Sequence, residues 1–178
     1  AASDVYKRQL VARDIPPQGG DTMYANMYTA YETLSEGLKQ TLAGMKAVHS
    51  SRHVFGTQAG YRRRVSDLAG RLGNADVADQ DAVHPVVISH PISGRQALYV
   101  NPGFTLRFDG WSKDESEPLL EMLYRHAQRP EHCYRFQWRN GSVAFWDNRA
   151  TWHYALNDYQ GQRRELHRIT IDGEPLAA

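Results

Sequence analysis

The chain has 178 residues, of which 41% are hydrophobic and 23% charged, with a formal net charge of +1 at pH 7. That length suits one domain with a sizeable core, and so small a charge gives no electrostatic reason to expect nucleic acid or an anionic membrane as partner. No apolar run approaches the roughly 20 residues that span a bilayer, no signal peptide is visible, and the single Cys133 cannot form an internal disulfide, so the expected location is the cytoplasm.

Residues 1–9 show no clear period and no initiator Met. They read as a truncated or non-native end, with residues 10–178 forming one domain. Leu10 to Arg13 reads as a short strand. Asp14 to Thr22, which contains Pro16-Pro17 and Gly19-Gly20, is dense in turn formers. The paired glycines either turn the chain or let the backbone come close to something. Ala25 to Met45 reads as two short helices, the second capped by Ser35, with Met27, Ala30, Tyr31 and Leu34 at helical spacing. His49 and His53 stand at i and i+4, a metal-pair spacing only on a helix. Gly56 and the β-branched neighbours favour a strand, so these histidines read as structural. Tyr61 to Val83 is polar, carries Arg62-Arg63-Arg64, and reads as a mobile surface segment or lid.

From His84 the pattern turns to β. His84 to Pro91 and Gln96 to Val100 flank the turn Ser93-Gly94, which makes a hairpin. Asn101 to Phe104 is a further turn that presents an aromatic ring. Ser112 and Glu115 have capping-box spacing ahead of Leu119, Leu120, Leu123 and Tyr124, and Pro130 ends that helix. Cys133 to Arg139 alternates Tyr134, Phe136 and Trp138 with polar residues. Asn140-Gly141 then signals a hairpin to Val143–Trp146. Short strands at regular spacing predict a mainly β fold with flanking helices, an antiparallel sandwich or jelly roll.

The run Trp146 to Ala155, followed by Gln162 to Arg168, carries the candidate chemistry. Its expected layout is a loop headed by His153, then a strand from Glu165 to Ile171. On that strand Arg164, Leu166, Arg168 and Thr170 share one face, because strand side chains alternate with period two. Two guanidiniums on one face are costly to bury unpaired, so that face is expected to meet anions. The planar fork of arginine matches a carboxylate with two parallel hydrogen bonds, and imidazole suits iron, zinc, copper or nickel. On the residues alone a structural role for His153 and the arginines stays open.

The chain resembles the TauD/TfdA group of Fe(II)- and 2-oxoglutarate-dependent dioxygenases. The matching blocks are Gly19-Gly20-Asp21-Thr22, His84-Pro85-Val86-Val87 with His90-Pro91, Leu98 to Phe104, and Trp146-Asp147-Asn148-Arg149 through His153 to Arg168, in order over residues 10–172. The resemblance implies a double-stranded β-helix, incomplete at its N-terminus, with Fe(II) as metal, 2-oxoglutarate as co-substrate, O2 and a small anionic substrate. Relatives often associate, so a homo-oligomer is in view. His153 matches the distal iron-ligating histidine. Arg164 and Thr22 match the residues that hold the distal carboxylate of 2-oxoglutarate. Arg168, Phe104, Phe55 and Val54 fall on positions of the substrate pocket.

Two departures accompany the match. The family's His-x-Asp or His-x-Glu ligands belong upstream of the Gly-Gly-Asp-Thr block, and no histidine precedes His49. The chain is therefore expected to be a fragment, inactive alone. Val54 replaces a small polar residue near the sulfonate, which weighs against taurine itself. Two alternatives remain: a metal-free jelly-roll module that binds small anions, and an inert fragment that exposes unpaired strand edges.

Overall fold

The computed structural model describes residues 5–52 and 81–172. The strands are β1 (Val5–Asp14), β2 (Thr22–Asn26), β3 (Lys46–Ser50), β4 (Asp81–Pro85), β5 (Val87–Ser89), β6 (Gln96–Leu98), β7 (Thr105–Phe108), β8 (Cys133–Phe136), β9 (Val143–Asp147), β10 (Thr151–Ala155) and β11 (Glu165–Asp172). The helices are α1 (Met27–Glu32), α2 (Glu36–Leu42) and α3 (Lys113–Ala127), with a 3-10 turn at Pro130–His132.

Three central strands come from the first fifty residues, and each takes both neighbours from further along the chain. The orders are β11-β1-β9, β10-β2-β8 and β4-β3-β7, with β5-β6 as a separate pair. Every pairing is antiparallel. The fold is mainly β with flanking helices, of the jelly-roll kind expected. Among the described residues, no helix is long and apolar enough to cross a membrane.

Local chemistry explains the helices. Asn26 caps α1 through its side-chain oxygen, and Ser35 caps α2 by accepting from Leu38 N–H. Ser112 and Glu115 form the reciprocal capping box that starts α3. The three helices bury Met27, Leu42 and Leu123 against Val86, Ile88, Leu98 and Phe108. Each such side chain contributes about 1.5–3 kcal/mol when fully buried. A second, smaller core of Ala12, Trp138, Ala144 and Trp146 lies under β1 and β9, lined by Leu10, Tyr24, Phe136 and Leu166. That core is the floor of the candidate site.

The structure corrects several expectations. Asn140-Gly141 turns the chain, with Gly141 at φ 84°, but joins no hairpin: β8 pairs with β2 and β9 with β1. The turn docks on β1 instead, through Gly141 N–H to Ala12 O at 3.0 Å and Ala12 N–H to Ser142 O at 2.9 Å. Turn chemistry fixes the reversal, and pairing across the fold fixes the partner. Strand β1 begins at Val5 rather than Leu10, because its ladders to β9 and β11 supply order that local pattern does not. The expected strand His84 to Pro91 is two strands broken at Val86, and β7 was not anticipated. His49 lies on a strand. His53, Val54, Phe55 and the expected lid up to residue 80 lie outside the described residues, while Asp81–Val83 opens β4.

Candidate anion site

The register of β1 builds one face of the site. Leu10 sits opposite Arg168, Ala12 opposite Leu166, and Arg8 opposite Thr170 on β11. On the other side Arg8 faces Trp146 and Leu10 faces Ala144. Cross-strand partners share a face, so Arg8, Arg168 and Thr170 stand with Leu10 and Leu166 above the small core. The expected period-two alignment therefore holds for Leu166, Arg168 and Thr170, whereas Arg164, expected on the same face, precedes β11, which begins at Glu165.

His153 sits in the middle of β10, not in a loop, opposite Tyr24 of β2. Its ring lies 5.0 Å from that of Trp146, and the residue is exposed along its open side. Nη1 of Arg8 donates to its Nε2 at 3.4 Å. A guanidinium has no acceptor, so Nε2 presents its lone pair and the imidazole is neutral. Burial of the ring, then the charges of Arg8 and Arg168, lower its pKa from 6.5 to about 4.

Arg164 is placed by a backbone feature. Its Nε donates to the carbonyl of Gly20 at 2.8 Å. Gly19 and Gly20 have φ of 77° and 72°, and Gly20 N–H donates to Asp158 Oδ1 at 2.7 Å. A Cβ on Gly20 would lie 3.0 Å from Arg164 Cδ, and one on Gly19 would lie 2.6 Å from Asp158 O. The paired glycines thus serve both a turn and a close approach. Nη2 of Arg164 is buried without a hydrogen-bond partner among the described residues, and so is Oη of Tyr24. Burial raises the Tyr24 phenol to about 12, against the opposing charge of Arg164, so it stays a donor. Thr22 is 2% exposed and accepts from Trp138 Nε1 at 3.0 Å, which leaves its own hydroxyl proton to donate.

Phe104 lies in the turn before β7, its carbonyl accepting from Ser50 N–H at 2.8 Å. That ties it to the end of β3. Sequence reading missed four residues of this neighbourhood: Arg8, Tyr24, Trp138 and Asp158. Tyr24 was findable, since it stands two residues after Thr22 on one strand face. Arg8 carried no signal.

The described residues do not by themselves complete an iron centre. Among them no group of three His, Cys, Asp or Glu is placed to hold a metal ion, and His153 has a guanidinium at its coordinating nitrogen. A carboxylate does fit, because a buried guanidinium edge and a phenol both lack acceptors beside one glycine turn.

Residues 9–170 match the family described as taurine catabolism dioxygenase TauD, TfdA family. An alkylsulfatase of Acinetobacter baylyi is 41% identical over 96% of this chain and 54% of its own length. An alpha-ketoglutarate-dependent sulfate ester dioxygenase of Pseudomonas putida is 36% identical over 96% of this chain and 57% of its own. The chain thus spans about half the length of these relatives. A crystal structure of a taurine dioxygenase from Burkholderia xenovorans superposes with a TM-score of 0.78 at 36% identity, covering 97% of this chain and 54% of that one.

Proposed function

Since the chain belongs to the taurine catabolism dioxygenase TauD, TfdA family, we propose that it supplies the carboxylate-anchoring and substrate-anchoring part of an Fe(II)- and 2-oxoglutarate-dependent dioxygenase acting on a small sulfate ester or sulfonate. The observation that carries this reading is the Arg164–Gly20 contact, which fixes a guanidinium while leaving its Nη2 free of partners among the described residues. Arg164 holds the distal carboxylate of 2-oxoglutarate through its fork, and the Tyr24 and Thr22 hydroxyls donate to the same group. Arg168 meets the sulfate or sulfonate of the substrate. Leu10, Leu166 and Trp146 wall that region with apolar surface, which strengthens charge pairing by excluding water. Bound 2-oxoglutarate supplies the reducing equivalents for O2.

Relatives named for alkyl sulfates, sulfate esters and sulfonates support the substrate class. The described residues hold one imidazole for iron, so two further ligands come from outside them.

Calorimetric titration with N-oxalylglycine, a dicarboxylate analogue of 2-oxoglutarate, tests the anchor. Arg164→Ala is expected to weaken binding at least tenfold, and an unchanged affinity would overturn the assignment. For activity, the protein at its full natural length is expected to form succinate from 2-oxoglutarate when given Fe(II) and an alkyl sulfate. No succinate with any sulfate ester or sulfonate would sink the reading.

A further inference from the structure

We infer that Trp138 is a positioning residue for the co-substrate carboxylate: its indole N–H engages the Thr22 hydroxyl and turns that hydroxyl's proton toward the anion. The assignment rests on the reading above, in which Arg164 and Thr22 hold one carboxylate. It adds the group that decides how Thr22 presents its proton.

Three observations carry it. First, Trp138 Nε1 donates to Thr22 Oγ1 at 3.0 Å. An indole N–H only donates, whereas a hydroxyl has one proton and two lone pairs. Accepting from Trp138 takes one lone pair and sets the rotation of the hydroxyl, with its proton pointing away from the indole. Second, both side chains are buried, Thr22 at 2% exposure and Trp138 at 5%. Among the described residues no oxygen accepts the Thr22 proton. A buried donor without an acceptor is costly, and a bound carboxylate supplies one. Third, neither partner is free to swing away. Thr22 lies between Phe136 of β8 and Ala155 of β10. The Trp138 ring packs on Phe136 with centroids 4.7 Å apart and shares the small core with Ala12, Ala144 and Trp146. Just beyond it, Gly141 N–H donates to Ala12 O and Ala12 N–H to Ser142 O, and Arg139 N–H donates to Ser142 Oγ. The Asn140-Gly141 turn, which joins no hairpin, thereby fixes the segment that carries Trp138.

The two hydrogen bonds run in series, indole to hydroxyl and hydroxyl to carboxylate. Each polarises the other, so the arriving anion strengthens the indole bond. Without the N–H the hydroxyl rotates, and binding must order it again.

The test is calorimetric titration of the 178-residue chain with N-oxalylglycine, read as a double-substitution cycle. Trp138→Phe is expected to weaken binding about three- to tenfold, the scale of one hydrogen bond, and Thr22→Val by at least as much. In the Thr22→Val background, Trp138→Phe is expected to cost less than about twofold more, because no hydroxyl remains to be oriented. Additive effects, or parent affinity in Trp138→Phe, overturn the proposal. Benzothienylalanine introduced at position 138 keeps the ring volume and lacks the N–H. It is expected to bind as weakly as Trp138→Phe, and parent affinity there assigns the role to packing and overturns the proposal. Trp111→Phe, at a part-exposed ring packed on Phe108, is the control and leaves the affinity unchanged. Where the variants fail to fold, the indole N–H proton resonance of Trp138 in the unaltered chain decides. A downfield shift with slower solvent exchange on adding N-oxalylglycine supports the coupling, and an unmoved resonance overturns it. Arg164→Ala separates the two ideas. Unchanged affinity in Arg164→Ala sinks the carboxylate reading itself, whereas weakened affinity there beside an additive cycle sinks the role of Trp138 alone.

Discussion

The Nε–H of Arg164 donates to the Gly20 carbonyl at 2.8 Å, and a Cβ on Gly20 would stand 3.0 Å from Arg164 Cδ. A backbone carbonyl, not a carboxylate, therefore orients this guanidinium. The choice matters chemically, because a carboxylate partner would neutralise the charge that an incoming anion needs.

Gly20→Ala tests that relationship. The residue has φ of 72°, and a non-glycine residue in the left-handed region costs roughly 1–2 kcal/mol. The added methyl also presses on the Arg164 stem. Expected are a lower melting temperature and an N-oxalylglycine affinity weakened several-fold. Gly19→Ala is expected to destabilise more, since its Cβ meets the Asp158 backbone at 2.6 Å, which cannot swing aside as a side chain can. Equal effects at the two positions would contradict this account.

Acid should act in two windows. His49 and His153 have folded pKa values lowered from 6.5 to about 4, chiefly by burial. Below 6.5 the unfolded chain takes up protons that the folded chain refuses, so stability falls as pH drops toward 4. Asp147 follows at lower pH. Burial pushes its pKa up, but hydrogen bonds from Arg149 and His90 outweigh that and lower it from 3.8 to about 2. Its contribution, about 2 kcal/mol from the size of the shift, is present above 3.8 and lost as pH falls through 2. Denaturant midpoints between pH 7 and 3 should show the first loss, and His49→Gln should reduce its slope. Asp147→Asn should remove stability at pH 7 and flatten the curve below 4.

Much of the site was legible because strand periodicity is a local property. Leu166, Arg168 and Thr170 had to share a face wherever the strand paired. Glycine pairs announced a turn or a close approach, and the structure uses both. What stayed hidden depended on contacts between distant segments. Nothing about Asn140-Gly141 says that β9 leaves β8 for β1. Nothing in Val5–Gln9 says that it will lie between β9 and β11 and carry Arg8 to His153. The strand character of Thr151–Ala155 was masked by the turn residues before it, and emerges from pairing with β2.

Thr33 joins two histidines at the end of α1. Its hydroxyl oxygen lies 2.8 Å from Thr29 O and 3.1 and 3.0 Å from the Nε2 atoms of His126 and His132. Its one proton is shared between Thr29 O and His132 Nε2, which can only accept because Nδ1 of that ring donates. His126 Nε2 also reaches Ala30 O at 2.9 Å, and His132 Nδ1 reaches His126 O at 2.9 Å. Both rings are buried. Thr33→Val keeps the volume and removes the oxygen, which leaves His132 Nε2 short of a partner. A buried polar atom so stranded costs about 1–3 kcal/mol. Chemical denaturation should show that loss, and Thr33→Ser should restore most of it. A Val variant as stable as the parent chain would mean that the network contributes nothing.

The outer face of β11-β1-β9 is apolar on both flanks. Phe145 and Ile169 lie opposite Gln9 on either side of β1, with exposures of 56% and 46%. Val143 and Ile171 extend the same face at 54% and 45%. Exposed apolar side chains on both sides of Lys7 and Gln9 favour association when nothing covers them. Sedimentation of the 178-residue chain should therefore reveal concentration-dependent self-association. Phe145→Thr with Ile169→Thr should shift it toward monomer. Threonine keeps the strand preference, and both side chains are largely in solvent, so the melting point should change little. The inner face, with Leu166 and Arg168, is untouched by these substitutions, and N-oxalylglycine titrations should match the parent chain. A mass distribution unchanged by the double substitution would place the association elsewhere on the fold.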